Sequence, residues 1–567
     1  MLGSFVRTIT IIILIITMML MLLGNLIKGL IPSKPDETTT TTAVTQPVTV
    51  PTTAPTTKPT TQPVTQPTTE PVTEPITDPV TEPTTSKETT TEGGVLIREI
   101  EKLPVTLIEG SGADIIRGAD ASADGGFVIC GTSTSTDGWF ADVSKGALNS
   151  TYSFVAKLNK NGAAIWKQQY TQQGETVVLS DIATLSDGGI LAVGYAYRSN
   201  SYDTSATTAA LAIKYTASGN IEWVKRYSGS GHSLFNGVSA SLDGFAVSGN
   251  TTSLDGDFIG NRAEPSENLP SVSKRTSGFI FSLDGNGNVK WKEFFCGSKG
   301  SSMGGISCDG DGNIFAACMT SSTDGDFARF DCLIGGYNDS IAYKFSPDGK
   351  LLWGYCVATS GIDKFGVIEA DGEGGCLLGG SYELRGIPAP DGTLAGVHHC
   401  GGKTDALVIR IDGSGKERWT RAVSGYYEDR ITDIRRTEGG FVVTGYTKSG
   451  DREFNTVGNL GEFDAFADFL TPGGNRPAIA SQAGSDNDMA NCVAISGNTV
   501  RVFGQTASSN GSFSGTASAS SDKFSGYSAG YALTVKQSNF YKGSGSQPLP
   551  FCMHSAPYGA ATLKQKY

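Results

Sequence analysis

A chain of 567 residues with 56 acidic and 44 basic side chains has a formal charge of -12, which excludes the basic stripe that a nucleic-acid partner requires. Eight acidic and two basic residues fall between positions 36 and 94, so half of that charge lies outside the region that reads as folded. Ten cysteines with no CxxC pair exclude a dense disulfide scaffold and argue against a cysteine metal centre.

The first element is apolar. Residues 8 to 27, TITIIILIITMMLMLLGNLI, contain no charge and are long enough to cross the roughly 30 Å hydrocarbon core as a helix. Residues 1–35 therefore read as an uncleaved signal anchor. A cleaved signal peptide is the rival, because Arg7 gives a basic n-region, but no small-x-small site follows.

From Pro47 to Pro83 a proline falls at every fourth position. Proline at that density removes amide donors and fixes φ, so the 36–94 segment reads as a disordered, extended stalk of polyproline II character. At about 3.1 Å per residue it reaches on the order of 150 to 180 Å, and Thr with Pro is the composition of O-glycosylated stalks. A stalk of this kind lifts the rest of the chain away from a membrane. The expectation is a single-pass membrane protein with an extracellular, monomeric head, or a cleaved and secreted head.

The head, 95–545, repeats two phrases. GGFVICGT is followed by FVAKLNKNG and AIWKQQY, and GGILAVGY by LAIKYTASGNIEWVKRY; five further units follow the same plan. The equivalent positions Gly131, Gly194, Gly249, Cys318, Gly380, Gly445 and Gly504 are spaced by 63, 55, 69, 62, 65 and 59 residues. Periods of this size mark radial or solenoid arrays. Each unit reads as four strands, the third and fourth joined by a short Gly-containing turn such as Asp348-Gly349. The fold class is all-β, a seven-bladed β-propeller of four-stranded antiparallel blades, preceded by a transmembrane helix and stalk. Unit seven lacks its fourth strand, and LPVTLIEGSG at 103 to 112 is expected to complete it. Residues 546–567 form a tail.

The (A/V)xG phrase, the DGDF loop, the DAxxxK-like strand and the GxxxW hairpin together resemble the bacterial secreted β-propeller repeats called SBBP. They are more loosely similar to pyrroloquinoline-quinone-type propeller repeats. The resemblance covers nearly all of the head and neither the anchor nor the stalk. It implies the fold, and no chemistry, because propellers host many functions.

Cys130, Cys318 and Cys376 lie in apolar strand phrases, as small buried hydrophobes do; a few disulfides are the alternative that an extracytoplasmic location permits. Trp166, Trp223, Trp291, Trp353 and Trp419 each stand four residues after a hairpin glycine, a regularity that points to packing between blades. In the sixth unit Pro477 takes that place and marks an irregularity or seam.

The connections between second and third strands are long and emerge on one face, where binding residues concentrate on a rigid scaffold. On that face Asp255 and Asp257 in LDGDF and Asp324 and Asp326 in TDGDF are candidate Ca²⁺ ligands. Their alternative is turn formation, since Ca²⁺ takes six to eight oxygens and the full EF-hand spacing is absent. Asp137, Trp139, Asp142, Asp451, His398 and His399 are candidate ligand-binding residues. No GxSxG elbow, P-loop or HExxH is present, and no catalytic residue is assigned. The expected role is a surface module that binds an extracellular polysaccharide or surface protein. A polysaccharide-degrading hydrolase or lyase with an acidic site on the same face is the alternative, and a quinone-dependent dehydrogenase comes third.

Overall fold

The computed structural model describes residues 96–536 apart from 144–150, 173, 199–206, 264–275, 335–336, 385–390, 398–403, 458 and 515–524. The apolar segment 8–27, the stalk, His398, His399 and the 546–567 tail lie outside the described residues. Among the described residues no helix is long and apolar enough to cross a membrane.

Seven antiparallel sheets follow one another along the chain. Blade one shows the plan: Asp114–Ala121 innermost, then Phe127–Ser133, Tyr152–Leu158 and, outermost, Ala164–Tyr170. Phe127–Ser133 is buried at every residue, so both its faces meet a neighbouring blade; this is why GGFVICGT reads as a continuous apolar run where a half-exposed strand would alternate. The outermost strand is mostly half-buried or exposed.

Each apolar cluster is shared by two successive blades. Val128, Cys130 and Val155 of blade one pack with Leu179, Ile190 and Ile213 of blade two. Ile116, Phe127 and Phe154 pack with Cys492, Ala494 and Phe503 of blade seven, which closes the ring. The tryptophans bind successive blades together at their short-turn ends. The Trp291 indole N–H donates to the Pro347 carbonyl at 2.9 Å, and Trp166, Trp223, Trp353 and Trp419 make the equivalent bond at 2.9 to 3.3 Å. The turn glycine of the next blade lies against the ring: a Cβ on Gly349 would come 2.8 Å from Trp291.

Blade six departs from this plan around its short outer strand Ala478–Gln482. There Arg476 forms a bidentate pair with buried Asp468, both bonds 2.6 Å. Between blades seven and one, Arg501 donates to the Lys160 carbonyl at 3.4 Å.

Blade seven is completed from the N-terminus, as the missing fourth strand requires. The closing element differs from the expected 103–112, however. Leu96–Lys102 pairs antiparallel with Ser525–Lys536, and only Thr106–Ile108 of the expected stretch adds to the other end of the same strand. Pro104 falls in the break between the two, where its missing N–H removes a ladder donor.

Candidate functional site

Each innermost strand carries a register break against its neighbour, as between Ile116 and Gly118 or Ile431 and Asp433, the mark of a β-bulge. The bulges bring Arg117, Ser180, Asn236, Gly304, Gly366, Thr432 and Asn491 to an axial cavity of about 250 Å³. Their polar side chains join blades around the axis: Asn236 donates to the Met303 carbonyl at 2.6 Å, Thr432 to Ala490 at 2.9 Å and Asn491 to Ile116 at 2.8 Å.

Four of the carboxyl groups on the same strands, Asp120, Asp181, Glu369 and Asp433, interact with the charge of Arg435. Asp120 accepts the Thr184 amide, Asp181 the Val238 amide and Asp433 the Val493 amide, each in the next blade, at 2.8 to 2.9 Å. Arg435 contacts Asp433 at 2.7 Å and Glu369 at 3.9 Å. Burial raises all four carboxyls above the ordinary carboxylate range, against the pull of Arg435, and carries Asp181 to about 7. Chemically, the axis holds one carboxyl, Asp181, that changes charge near neutrality, among others that burial raises, with the Arg435 cation acting on all four.

The opposite end of the second strands carries the long connections. Among the described residues six of them open with the same short 3-10 turn, whose preceding Asp or Asn reaches to the link entering the same blade. Asp137 accepts the Ser111 amide at 2.6 Å, Asp255 that of Ser230 at 2.6 Å and Asp324 that of Ser298 at 2.7 Å. Asp451 accepts the Tyr426 amide at 2.9 Å, and Asn510, in blade seven, that of Ser485 at 2.8 Å. The second aspartate of DGDF clamps the same link two residues earlier: Asp257 accepts the Ser228 amide and Asp326 the Cys296 amide, both at 2.8 Å. Asp326 also receives both bonds of Arg262 at 2.8 Å.

The candidate metal ligands thus accept backbone amides. Among the described residues no group of three or more His, Cys, Asp or Glu side chains is placed to hold a metal ion. In blade one, Trp139 stands edge-on to Phe140 and Phe154 with Lys167 4.7 Å from its ring centre, and Asp142 pairs with Lys167, whose hydrogen bond holds its carboxyl below the usual range. Asp137, Trp139 and Asp142 share one loop, while Asp451 belongs to blade six.

A further set of polar residues escaped the sequence reading. Buried Asp114, Asp429 and Asp488 begin innermost strands and receive hydroxyl bonds from an S/T-x-S pair, such as Ser133 at 2.6 Å and Ser135 at 2.9 Å. The signal was available: the Thr-x-Ser of TTS, TSS, TKS and TAS recurs before the long loops. Blades three and four place Ser233 and Ser301 at the aspartate position.

On this same face lie the exposed tyrosines of the described residues, Tyr337, Tyr426 and Tyr427, which are 45, 49 and 61% exposed. Exposed aliphatic side chains stand elsewhere too, on outer strands such as that of Ile165 and Ile221.

No family profile and no curated protein matches the sequence. Solved structures that resemble the chain include the phage phi92 endosialidase (8% identity, TM-score 0.38, covering 82% of this chain and 77% of that one). The Hadza microbial sialidase Hz136 has 11% identity and a TM-score of 0.34, with 78% and 93% covered. A Bacteroides caccae protein of unknown function has 13% identity and a TM-score of 0.30, with 58% and 94% covered. Similarities of this extent carry no argument about activity.

Proposed function

We propose that this propeller is a binding module of the cell surface, taking a polysaccharide or a surface protein on its long-loop face. In this reading the blades are SBBP-like repeats, held outside the cell by the apolar segment 8–27 and the Thr/Pro stalk. The observation that carries it is the placement of Tyr337, Tyr426 and Tyr427, amphipathic rings exposed on the one face where, among the described residues, six blades contribute a long connection that opens on a clamped turn. The disulfide between Cys332 and Cys356 supports an oxidising, extracytoplasmic location.

A second reading rests on the axial carboxyls. Asp181, near neutrality beside Arg435, has the ionisation an acid or base for polysaccharide cleavage requires. Binding of the full chain to a glycan array and to surface proteins, with reducing-sugar release followed in parallel, tests both. Retention of a glycan or protein without release is expected. Release that Asp181→Asn abolishes would replace the binding reading by the hydrolytic one.

A further inference from the structure

In five blades the residue that opens the 3-10 turn of the long connection is a glycine with positive φ: Gly138 at 57°, Gly256 at 61°, Gly325 at 61°, Gly392 at 56° and Gly511 at 62°. Blade six has Arg452 there, at 51°, the one non-glycine residue with positive φ among the described residues. An L side chain is strained in this region by its own Cβ. The surroundings also disfavour it, because a Cβ on Gly256, Gly325 or Gly392 would come within 2.2, 2.3 or 2.1 Å of the carbonyl of the link it clamps. In those blades the next amide donates to that same carbonyl, as Asp257 does to Ser228 at 3.0 Å and Asp326 to Cys296 at 2.9 Å. Among the described residues Glu453 makes no such bond. Blade six therefore carries backbone strain and lacks one clamp bond, and the turn itself gives no reason for the arginine.

The side chain does. The Arg452 guanidinium lies over the Tyr426 ring, 4.5 Å from its centre, and donates from Nη2 to Tyr426 Oη at 2.5 Å. Tyr426 and Tyr427 are themselves departures. Their amides bond to Asp451 and Ser449 as Ser230 and Gly231 bond to Asp255 and Ser253, so the two tyrosines stand where other links have Ser111-Gly112 or Ser230-Gly231. Three departures from the repeat, one of them strained, thus fall together on the long-loop face, Arg452 against Tyr426 and the exposed Tyr427 next to it in the chain.

We propose that Arg452, Tyr426 and Tyr427 form a subsite for a sugar residue that bears a carboxylate, within an anionic polysaccharide; this rests on the binding reading of the face. The guanidinium offers a planar fork of donors to a carboxylate, and the Tyr427 ring offers an apolar surface to the C–H side of a pyranose, with a hydroxyl at its edge. Stacking on Tyr426 holds the arginine in place before the ligand arrives, which lowers the ordering cost of binding. A protein partner needs about 800 Å² on each side, whereas the exposed large apolar side chains of this face are spread over blades three, four and six, as in Ile259, Ile334 and Leu460.

The test is binding of the full chain to polygalacturonate and to its methyl ester, which keeps the sugar and linkage but removes the charge. The acid form is expected to bind at least about tenfold more tightly than the ester. Arg452→Gly should weaken binding to the acid form about tenfold while raising the melting temperature by roughly 1–2 °C, as the strain is relieved. Tyr427→Ala should weaken binding about tenfold with the melting temperature unchanged. Undiminished binding by both variants, equal binding of acid and ester, or preference for a neutral glycan or a protein would overturn the subsite and leave the binding reading of the face intact. A lower melting temperature for Arg452→Gly would overturn it by giving the arginine a structural role. Failure to retain any glycan or surface protein would remove both.

Discussion

The five tryptophans show how one side chain can do the same work in five successive blades. Each indole reaches across a blade boundary to donate to a turn carbonyl and to cover the neighbouring turn glycine. Truncation of Trp291 to Ala removes a half-buried aromatic surface and one hydrogen bond, and should cost about 2 kcal/mol. Urea unfolding of the full chain, followed by far-UV circular dichroism, checks this, and Trp166→Ala should behave alike. A ligand role would instead show as lost binding with little lost stability. This packing role was legible in the sequence because the residues recur in phase with the hairpin glycine. The role of Arg452 was not, since an isolated RE in place of GD carries no sign of its backbone conformation.

At the scale of the element, the clamped turn explains why DGDF resembles a calcium loop. Its aspartates sit two apart and face one point, but that point is the backbone of the incoming link. Blade seven supplies a natural comparison, for Asn510 makes the same bond as Asp324 with a neutral side chain. Asp324→Asn should therefore stay within about 0.5 kcal/mol of the parent, whereas Asp324→Ala should cost about 1 to 2 kcal/mol. Differential scanning calorimetry with Ca²⁺ and with chelator separates this from a metal site. An amide clamp gives the same melting temperature in both, while a ligand to Ca²⁺ would make Asp324→Asn as damaging as Asp324→Ala and the parent sensitive to chelator. Sequence showed where these turns fall and left open what their carboxylates hold, because Asp and Gly are common to turns and calcium loops alike.

For the whole molecule, closure and burial decide stability. Removal of residues 95 to 112 takes away both Leu96–Lys102 and Thr106–Ile108, leaves the Ser525–Lys536 strand without its partner, and should lower the melting temperature sharply; an unchanged melt would refute closure. The ring also buries carboxyls that burial pushes up, Asp114 to about 6 and Asp181, Asp363, Asp429 and Asp488 to about 7. In the unfolded chain these groups ionise near about 3.9. Between those values the folded state holds protons that the unfolded state releases, so stability is greatest below the unfolded value and declines as pH rises towards 7. The melting temperature should fall from pH 5 to pH 8, and Asp488→Asn should flatten that slope. A melting temperature that rises over the same window would count against these displaced ionisations.

The sequence by itself determined the number of blades, the strand plan and the face that carries the irregular loops, because each follows from a local pattern repeated seven times. Periodicity averages out the accidents of any one unit. Only the tertiary structure decided which N-terminal stretch closes the ring, which backbone amides the DGDF aspartates accept, and that Arg452 meets Tyr426 in a strained turn. Those features depend on residues from different blades or on backbone angles, and neither distance across a blade boundary nor the sign of φ is written in the order of the side chains.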